Sequence, residues 1–245
     1  MKRKLLGMTW ASGLFGDASL DKAESRENAV LLMRHNSKDV VWNIIRGFEG
    51  VPVSLPQTAQ ILEGQSVSGL SIRELLKVKQ YGDALSMLCD IVEDARFAVS
   101  KSVACALHGI AAKDEIAERR QFRTKLVELK HVAYKPPHPA LLQDKWDQGI
   151  EALQGLDNVL EYACALFLYM SRTQFFYDCN KRTAMLMANG VLMNAGIKPF
   201  FIPQADREEL ATKLAAFYES GNAGDMMSML HALAAPATPE TASQS

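Results

Sequence analysis

Two strongly apolar segments, at 157–173 and 181–195, constrain the fold more than any other feature of the sequence. Their apolar residues recur at helical spacing, so both segments are predicted to be helices that pack in a core. The loop between them is polar and charged, a mixture that helix packing alone does not require. We therefore expect this loop to carry the function of the chain.

The rest of the sequence is mostly helical in pattern. Ser54 and Pro56 suit the cap and the first turn of a short helix. Residues 122–134 instead alternate with a period of two, which favours a strand or hairpin. The predicted fold class is all-α, a helical bundle with one small β-hairpin. Further helices are predicted at 22–47, 71–98, 100–112, 139–153, 204–220 and 224–234.

Composition and charge exclude several classes of protein. A chain of 245 residues that is 48% hydrophobic can bury a full core as one domain, or as one domain with an appendage. The 27 Lys and Arg residues nearly balance the 28 Asp and Glu residues, so the net charge of −1 provides no global field for nucleic acid or an anionic membrane. We expect neither as a partner, and any phosphate binding must be local.

The cysteines and the first residues indicate a cytoplasmic protein. The four cysteines lie far apart without Cys-x-x-Cys spacing, so neither a disulfide framework nor a zinc site is predicted. The N-terminal stretch is basic and then loosely apolar, but glycine and hydroxyl residues dilute it and no signal-peptide cleavage site follows. The apolar run at 164–170 is too short to span a bilayer.

The charged loop ends at the start of a predicted helix. Backbone N–H groups there have no acceptor within the helix, so they favour an anion, and Lys181 and Arg182 add charged donors for phosphate. Asp178 beside phosphate needs a cation between them, and Mg²⁺ binds one carboxylate plus phosphate oxygens. The loop predicts a Mg²⁺–nucleotide site with Asp178 as the metal ligand. The alternative is that Asp178 and Asn180 cap the helix while the two bases are solvated.

The same loop resembles the signature of the Fic family, His-x-Phe-x-(Asp/Glu)-(Gly/Ala)-Asn-(Gly/Lys)-Arg. The resemblance implies that Phe176 anchors the loop in the core and that Asp178 holds Mg²⁺. It also implies that ATP is the nucleotide and that its phosphates lie on the helix start. The nucleotide-binding residues by this resemblance are Cys179, Asn180, Lys181 and Arg182.

Similarity to the family extends over about 41–230. Residues 127–134 resemble the flap, a hairpin that registers the main chain of the target protein by strand addition, with Val127, Leu129 and Tyr134 as its candidate residues. The resemblance divides the chain into an N-terminal segment at 1–40, helical and partly flexible, and a Fic domain at 41–232. The tail at 233–245 is rich in Pro, Thr, Ser and Ala and is expected to be disordered.

Three positions of the loop depart from the family. Gln174 stands at the position of the catalytic His, the general base that takes the proton of the target hydroxyl. An amide cannot accept that proton, so the roughly 10²–10⁴-fold contribution of general-base catalysis is at risk. Met185 replaces a second Arg that holds the terminal phosphate, and Cys179 replaces a small residue. Cys179 either has a lowered pKa and is oxidisable or merely fills space.

Glu49 and Gly50 resemble the end of the inhibitory motif found before many Fic domains, Ser/Thr-x-x-x-Glu-Gly. In those proteins the glutamate pairs with the second loop Arg, which is Met185 here, and the Ser/Thr place is Ile45. Inhibition therefore requires that Glu49 pair with Arg182. The alternative is that Gly50 simply ends a helix in a left-handed cap. Glu63, also followed by a glycine, is a lesser candidate.

Two functions remain open at this point. The first is a Fic-type transferase, impaired or atypical, that moves AMP or another phosphate-containing group from Mg²⁺–ATP to a Ser, Thr or Tyr hydroxyl of a target protein. The catalytic residues would be Gln174 and Asp178. The second is an inactive nucleotide-binding pseudoenzyme or interaction module. Either could form a homo-oligomer.

Overall fold

The computed structural model describes residues 2–16, 22–130 and 132–234, and these are mostly helical. Ten α-helices and one two-stranded sheet make up this part of the chain, which confirms the predicted fold class. Most of the predicted tail, 235–245, lies outside the described residues. Within the described ranges, no helix combines the length and the apolar character needed to cross a membrane.

The sheet is an N-terminal hairpin that the sequence analysis did not predict. Strand β1, Lys2–Leu5, pairs antiparallel with strand β2, Met8–Ala11. The two turn residues, Leu6 and Gly7, both have positive φ, 53° and 75°. Positive φ at both positions is what a tight two-residue hairpin turn requires.

The hairpin predicted at 122–134 is wrong, because the described residues of that segment form no strand. The alternation that suggested it is nevertheless real: Val127 and Leu129 are half-buried, whereas Glu128 and Lys130 are exposed. An extended segment laid along a core buries every second side chain without needing a partner strand. The period of two in this segment therefore reflects alternate burial of side chains and not the pairing of strands.

The single helix predicted at 22–47 is divided into two. Helix α1 spans Arg26–His35 and helix α2 spans Ser37–Ile44, followed by one π-helical turn at Ile45–Glu49. The side chain of Asn36 donates to the carbonyl of Leu32 at 2.9 Å and caps α1. Gly50, with φ of 68°, ends the π turn in the left-handed conformation.

The next three helices begin at serine caps. Helix α3 is Leu55–Leu62, helix α4 is Ile72–Glu93 and helix α5 is Lys101–Ala111. Ser54 and Ser71 form capping boxes, with Gln57 and Glu74 as their partners. These reciprocal bonds satisfy backbone N–H groups that a helix start otherwise leaves free.

The core is built around the two apolar helices. After α6, Leu142–Gln154, helix α7 spans Val159–Thr173 and helix α8 spans Asn180–Asn194. Helices α7 and α8 pack against each other, and both are buried along nearly their whole length. The loop that joins them, residues 174–179, is therefore supported from both ends by the most rigid part of the molecule.

The hairpin is docked on the last part of the fold, helices α9, Arg207–Ser220, and α10, Gly224–Ala234. Thr9 donates its N–H to the carbonyl of Gly221 at 2.9 Å and accepts from Ala223 at 2.7 Å. Buried Trp10 donates its indole N–H to Glu161 on α7 at 2.6 Å. The hairpin is thus fixed to both α7 and the α9–α10 turn.

Candidate active site

Helix α7 ends at Gln174, whose φ of 52° turns the chain out of the helix. Its side chain is only 8% exposed. The amide Nε2 donates to the carbonyl of Ser171 at 2.6 Å, and Oε1 accepts from Asn180 Nδ2 at 2.9 Å. The amide of Gln174 is thus bonded at both ends, to the last turn of α7 and to the first residue of α8.

Asn180 closes the loop from the other side. Its Nδ2 donates to Gln174 and also to the carbonyl of Phe176 at 2.8 Å, while its Oδ1 accepts from the backbone N–H of Phe176 at 2.9 Å. Both polar atoms of this buried amide are bonded within the loop. In this conformation the side chain of Asn180 organises the loop and does not stand free for a phosphate.

Phe176 lies in the core, where the resemblance had expected it. Its ring stacks on the imidazole of His108 at 3.8 Å between centroids, with 8° between the planes. Burial lowers the pKa of His108 to about 4, so this histidine is neutral at physiological pH. Stacked and fully buried, His108 is a packing residue in this conformation.

Cys179 precedes α8 in the left-handed conformation, with φ of 60°. Burial raises the pKa of its thiol to about 12, although the positive charge of Arg182 opposes the shift. The suggestion that the helix start and the neighbouring bases lower this pKa is therefore wrong, because desolvation outweighs their effect. The thiol is left with the space-filling role.

Asp178 is the exposed residue of the loop. Its Oδ1 accepts from the backbone N–H of Cys179 at 2.6 Å. Among the described residues no group of three or more His, Cys, Asp or Glu side chains is arranged to hold a metal ion. A single exposed carboxylate at a helix start nevertheless fits Mg²⁺ that arrives with phosphate oxygens and keeps waters, since that ion needs only one or two carboxylates.

Arg182 is fully buried in an ion-pair cluster with Glu49, Lys77 and Glu115. Its Nη1 and Nη2 donate to the two carboxylate oxygens of Glu115 at 2.6 and 3.0 Å. Its Nε lies 3.0 Å from Oε1 of Glu49. Nη1 also donates to the carbonyl of Ala111 at 3.2 Å. The bidentate pair with Glu115 is geometrically specific for arginine.

Lys77, from α4, completes the ion-pair cluster. Its Nζ lies 2.6 Å from Glu49 and 2.9 Å from Glu115, so two cations face two anions. Burial acts to raise the pKa of each carboxyl, but Arg182 and Lys77 outweigh it, and both pKa values lie below the ordinary value. Both acids are therefore ionised at neutral pH, and the cluster is neutral as a whole.

Lys181, next to Arg182, lies outside the ion-pair cluster. Its Nζ is 5.6 Å from the centroid of the Phe48 ring, in the π turn that also carries Glu49. Burial lowers the pKa of this lysine, against the attraction of Glu49 and Asp178. Of the two cations at the start of α8, Arg182 is therefore paired with acids and Lys181 lies over an aromatic ring.

A buried arginine that the sequence analysis had not selected links the loop to the segment resembling a flap. Arg123 donates from Nε to the carbonyl of Gln174 at 2.6 Å, from Nη1 to that of Lys125 at 2.9 Å and from Nη2 to that of Pro137 at 2.6 Å. The hydroxyl of Tyr177 accepts from the backbone N–H of Lys125 at 3.0 Å. One side chain therefore fixes both ends of 125–137 to the loop.

The predicted site residues are brought together only in part. Gln174, Asp178 and the first residues of α8 share one loop, and Glu49 joins them through Arg182. The flap candidates lie on the neighbouring segment, where the guanidinium of Arg172 lies over the ring of Tyr134. Glu63, the lesser inhibitory candidate, pairs with Lys38 on the surface at 2.8 Å.

Sequence reasoning missed Glu115, Lys77 and Arg123 as residues of the site.

Met185, where the family has its second Arg, is fully buried in the core. Glu49, at the position of the inhibitory glutamate in the resemblance, pairs with Arg182. This is the pairing that inhibition without a second Arg requires. The left-handed cap at Gly50 coexists with this pairing, so the two interpretations of Glu49 and Gly50 do not exclude each other.

Comparisons with known proteins find similar sequences and folds. The model of the Fic/DOC family matches residues 98–192, which include α5, the flap-like segment, the loop and most of α8. A protein adenylyltransferase Fic from Drosophila grimshawi is 24% identical over 216 residues, which cover 86% of this chain and 44% of the relative. The chain spans less than half the length of that curated relative.

Two solved structures are similar in fold. Fic-1 (residues 134–508) from C. elegans superposes with a TM-score of 0.69 at 23% identity, covering 84% of this chain and 62% of the other. A Fic domain containing signaling protein from Bacteroides thetaiotaomicron superposes with a TM-score of 0.66 at 17% identity, covering 85% and 88%. At these identities the similarity concerns the fold.

Proposed function

We propose that this protein is a Fic-type transferase that moves AMP from Mg²⁺–ATP to a Ser, Thr or Tyr hydroxyl of a target protein, and that the described conformation is its restrained state. The observation that carries the proposal is the pairing of Glu49 with Arg182 at 3.0 Å. An acid that occupies the arginine of a phosphate-binding helix start competes with a nucleotide for the same charge. The Fic/DOC match over residues 98–192 includes this helix start.

Separate residues bind the phosphates, hold the metal and maintain the shape of the loop. The backbone N–H groups at the start of α8, with Lys181 and Arg182, bind the phosphates once Arg182 is released from the acids. Asp178 would hold Mg²⁺, and the ion would supply positive charge beside the phosphates. Gln174 and Asn180 keep the loop in shape through their mutual hydrogen bond.

The transfer itself joins the target hydroxyl oxygen to the α-phosphorus and breaks the bond from that phosphorus to the bridging oxygen. Pyrophosphate leaves, and the hydroxyl proton must leave as well. Gln174 cannot accept it. The proton therefore passes to solvent, and the reaction runs slowly compared with one that has a histidine base, by a factor on the order of 10²–10⁴.

A specific observation favours a second candidate, an inactive nucleotide-binding module. The amide of Gln174 is bonded at both ends, to Ser171 on α7 and to Asn180 on α8, so it is not poised to orient a target hydroxyl. A chain with such a loop can still bind ATP at the start of α8. The two candidates thus share the nucleotide site and differ only in transfer.

Incubation with ATP labelled separately at the α and γ phosphates tests the proposal. Cell lysate serves as the source of targets, and the Glu49→Gln variant is measured beside the wild type because its Arg182 is less restrained. Label from the α position in protein supports AMP transfer, and label from γ alone indicates phosphate transfer instead. ATP binding without label in protein favours the inactive module.

A further inference from the structure

A pocket of about 350 Å³ lies beside the candidate active site, away from the phosphate-binding helix start. Its walls come from four parts of the chain: the hairpin turn at residues 6–8, the segment that carries Tyr134 and Pro137, Lys145 on α6, and the end of α7 with Arg172 and Thr173. We call it the hairpin pocket. Its volume is at the small end of the range of ligand pockets, about 300–1,000 Å³, and suits one side chain.

The charge of the hairpin pocket is positive. Arg172 and Lys145 line it, and none of its lining residues is Asp or Glu. In the part of the chain that the structure describes, neither cation has an ion-pair partner. The chain as a whole carries a net charge of −1, so this is a local excess of positive charge.

Arg172 is held in place with its outer nitrogens available. Its Nε donates to the carbonyl of Tyr218 at 3.1 Å, and its guanidinium carbon lies 4.0 Å from the centroid of the Tyr134 ring. Nη1 lies beside Gly7 and Nη2 beside Gly221, two residues that have no side chain of their own. No described residue accepts a hydrogen bond from either nitrogen. A fixed guanidinium with two free donors matches the two oxygens of a carboxylate.

The pocket is close to the place where a target hydroxyl would be modified. Arg172 and Thr173 directly precede Gln174 at the end of α7. Pro137, on the opposite wall, is tied to Gln174 because Arg123 donates to the carbonyls of both. A group bound in the hairpin pocket therefore lies within a few residues of the loop.

We propose that the hairpin pocket binds an acidic side chain of the target protein, a few residues from the modified Ser, Thr or Tyr, through Arg172 and Lys145. This inference rests on the proposed function, because it assumes that a protein segment lies along the loop. It identifies the targets by their chemistry as hydroxyl residues with an Asp or Glu nearby. The N-terminal hairpin thereby becomes part of the recognition surface.

Selection of peptides on the immobilised full chain tests the inference through binding alone. The probe is a library of random peptides with a central Ser, Thr or Tyr. The wild type should enrich Asp or Glu at a fixed offset from the central residue, on the order of tenfold over the input library. Lys145→Glu and Arg172→Gln should abolish this preference. The control Lys79→Glu should retain it, because Lys79 is a half-buried lysine on α4 that does not line the pocket.

Two outcomes overturn the inference: no acidic preference in the wild type, or a preference that survives in both pocket variants. Circular dichroism checks that Arg172→Gln is folded, and Lys145 is exposed, so Lys145→Glu keeps the test valid on its own. The readout is peptide binding, which does not depend on transfer of AMP. A chain that fails to transfer AMP can still show the preference, and a chain that transfers AMP can fail to show it.

Discussion

Glu49 Oε1 lies 3.0 Å from Nε of Arg182, so the arginine at the start of α8 already holds a carboxylate where the sequence predicts a phosphate. Glu115 occupies the other two nitrogens of the same guanidinium. The two acids come from different parts of the chain, the π turn before Gly50 and the residues after α5. A nucleotide that uses Arg182 must displace both.

The first prediction concerns this competition. Glu49→Gln and Glu115→Gln should each strengthen binding of Mg²⁺–ATP on the order of tenfold, or about 1.4 kcal/mol, because each removes one anion that competes with phosphate. The double variant should bind more tightly than either single variant. Isothermal titration calorimetry measures the dissociation constants. The variants lose part of a buried ion pair and should also unfold more easily, so binding is measured well below the unfolding temperature.

Glu63→Gln is the matched control, because Glu63 is also followed by a glycine but pairs with Lys38 at the surface. Its affinity for ATP should equal that of the wild type. Equal affinities in all of these variants would show that neither Glu49 nor Glu115 restrains the site, and that their ion pairs with Arg182 serve stability only.

The second prediction concerns the missing base. Gln174→His should raise α-labelled transfer by on the order of 10²-fold or more, since an imidazole with a pKa near its ordinary value of about 6.5 can accept a proton at neutral pH. The gain should be larger in a Glu49→Gln background, where Arg182 is less restrained. Transfer to the protein itself or to lysate proteins is the readout.

Gln174→Leu distinguishes the effect of adding a general base from the effect of loosening the loop. It removes the hydrogen bond to Asn180 without supplying an acceptor for the proton. If it raises transfer as much as histidine does, loosening of the loop explains the gain. A wild type that is active and loses activity with histidine would show that glutamine works in the site. If the wild type and Gln174→His both bind ATP and neither transfers AMP, the inactive module is the better description.

The third prediction concerns the left-handed backbone at Cys179. A left-handed conformation costs a residue with a Cβ roughly 1–2 kcal/mol, a cost that glycine avoids. Cys179→Gly should therefore be more stable than Cys179→Ala by about 1 kcal/mol, although alanine is larger and both lose the buried sulfur. Urea denaturation measures the two free energies of unfolding. An alanine variant as stable as the glycine variant would show that the backbone at 179 relaxes.

The fourth prediction concerns the pH dependence of stability. The pKa values of Glu49 and Glu115 lie below the ordinary value in the folded chain, because Arg182 and Lys77 outweigh the effect of burial. A carboxyl with a lowered folded pKa stabilises the fold above its unfolded pKa of about 4.3, and that contribution is lost as the pH falls through the folded value. The wild type should thus lose more thermal stability between pH 7 and pH 3 than the Glu49→Gln, Glu115→Gln double variant. Parallel curves of unfolding temperature against pH would contradict this.

The features that sequence reasoning predicted are local ones. Helix α8 was predicted at 181–195 and spans Asn180–Asn194, because its apolar periodicity and the polar residues at its start are adjacent in the chain. The short helix after Ser54 was predicted from the same kind of signal, and its capping box is present. Signals of this kind depend on a few neighbouring residues.

The complete ion-pair cluster could not be predicted, because its four members come from four separate segments, and Lys77 and Glu115 belong to no motif. The N-terminal hairpin was missed for a related reason. Its turn, Leu6 and Gly7, lacks the Asn-Gly or Asp-Gly signal, and its four-residue strands are marginal alone. Its contacts with Glu161, Gly221 and Ala223 stabilise it, and these residues are remote in sequence.

The docking of the hairpin on α7 and on the α9–α10 turn has a consequence for how such a protein can diversify. The hairpin supplies one wall of the hairpin pocket through residues 6–8, whereas the loop at 174–182 is formed elsewhere in the chain. Under the proposed role of the hairpin pocket, substitutions in the turn alter target choice while every residue of the loop is retained. The positive φ of 53° at Leu6 and 75° at Gly7 limits which residues the turn accepts, so the wall of the hairpin pocket is free to vary mainly in the side chains of Leu6 and Met8.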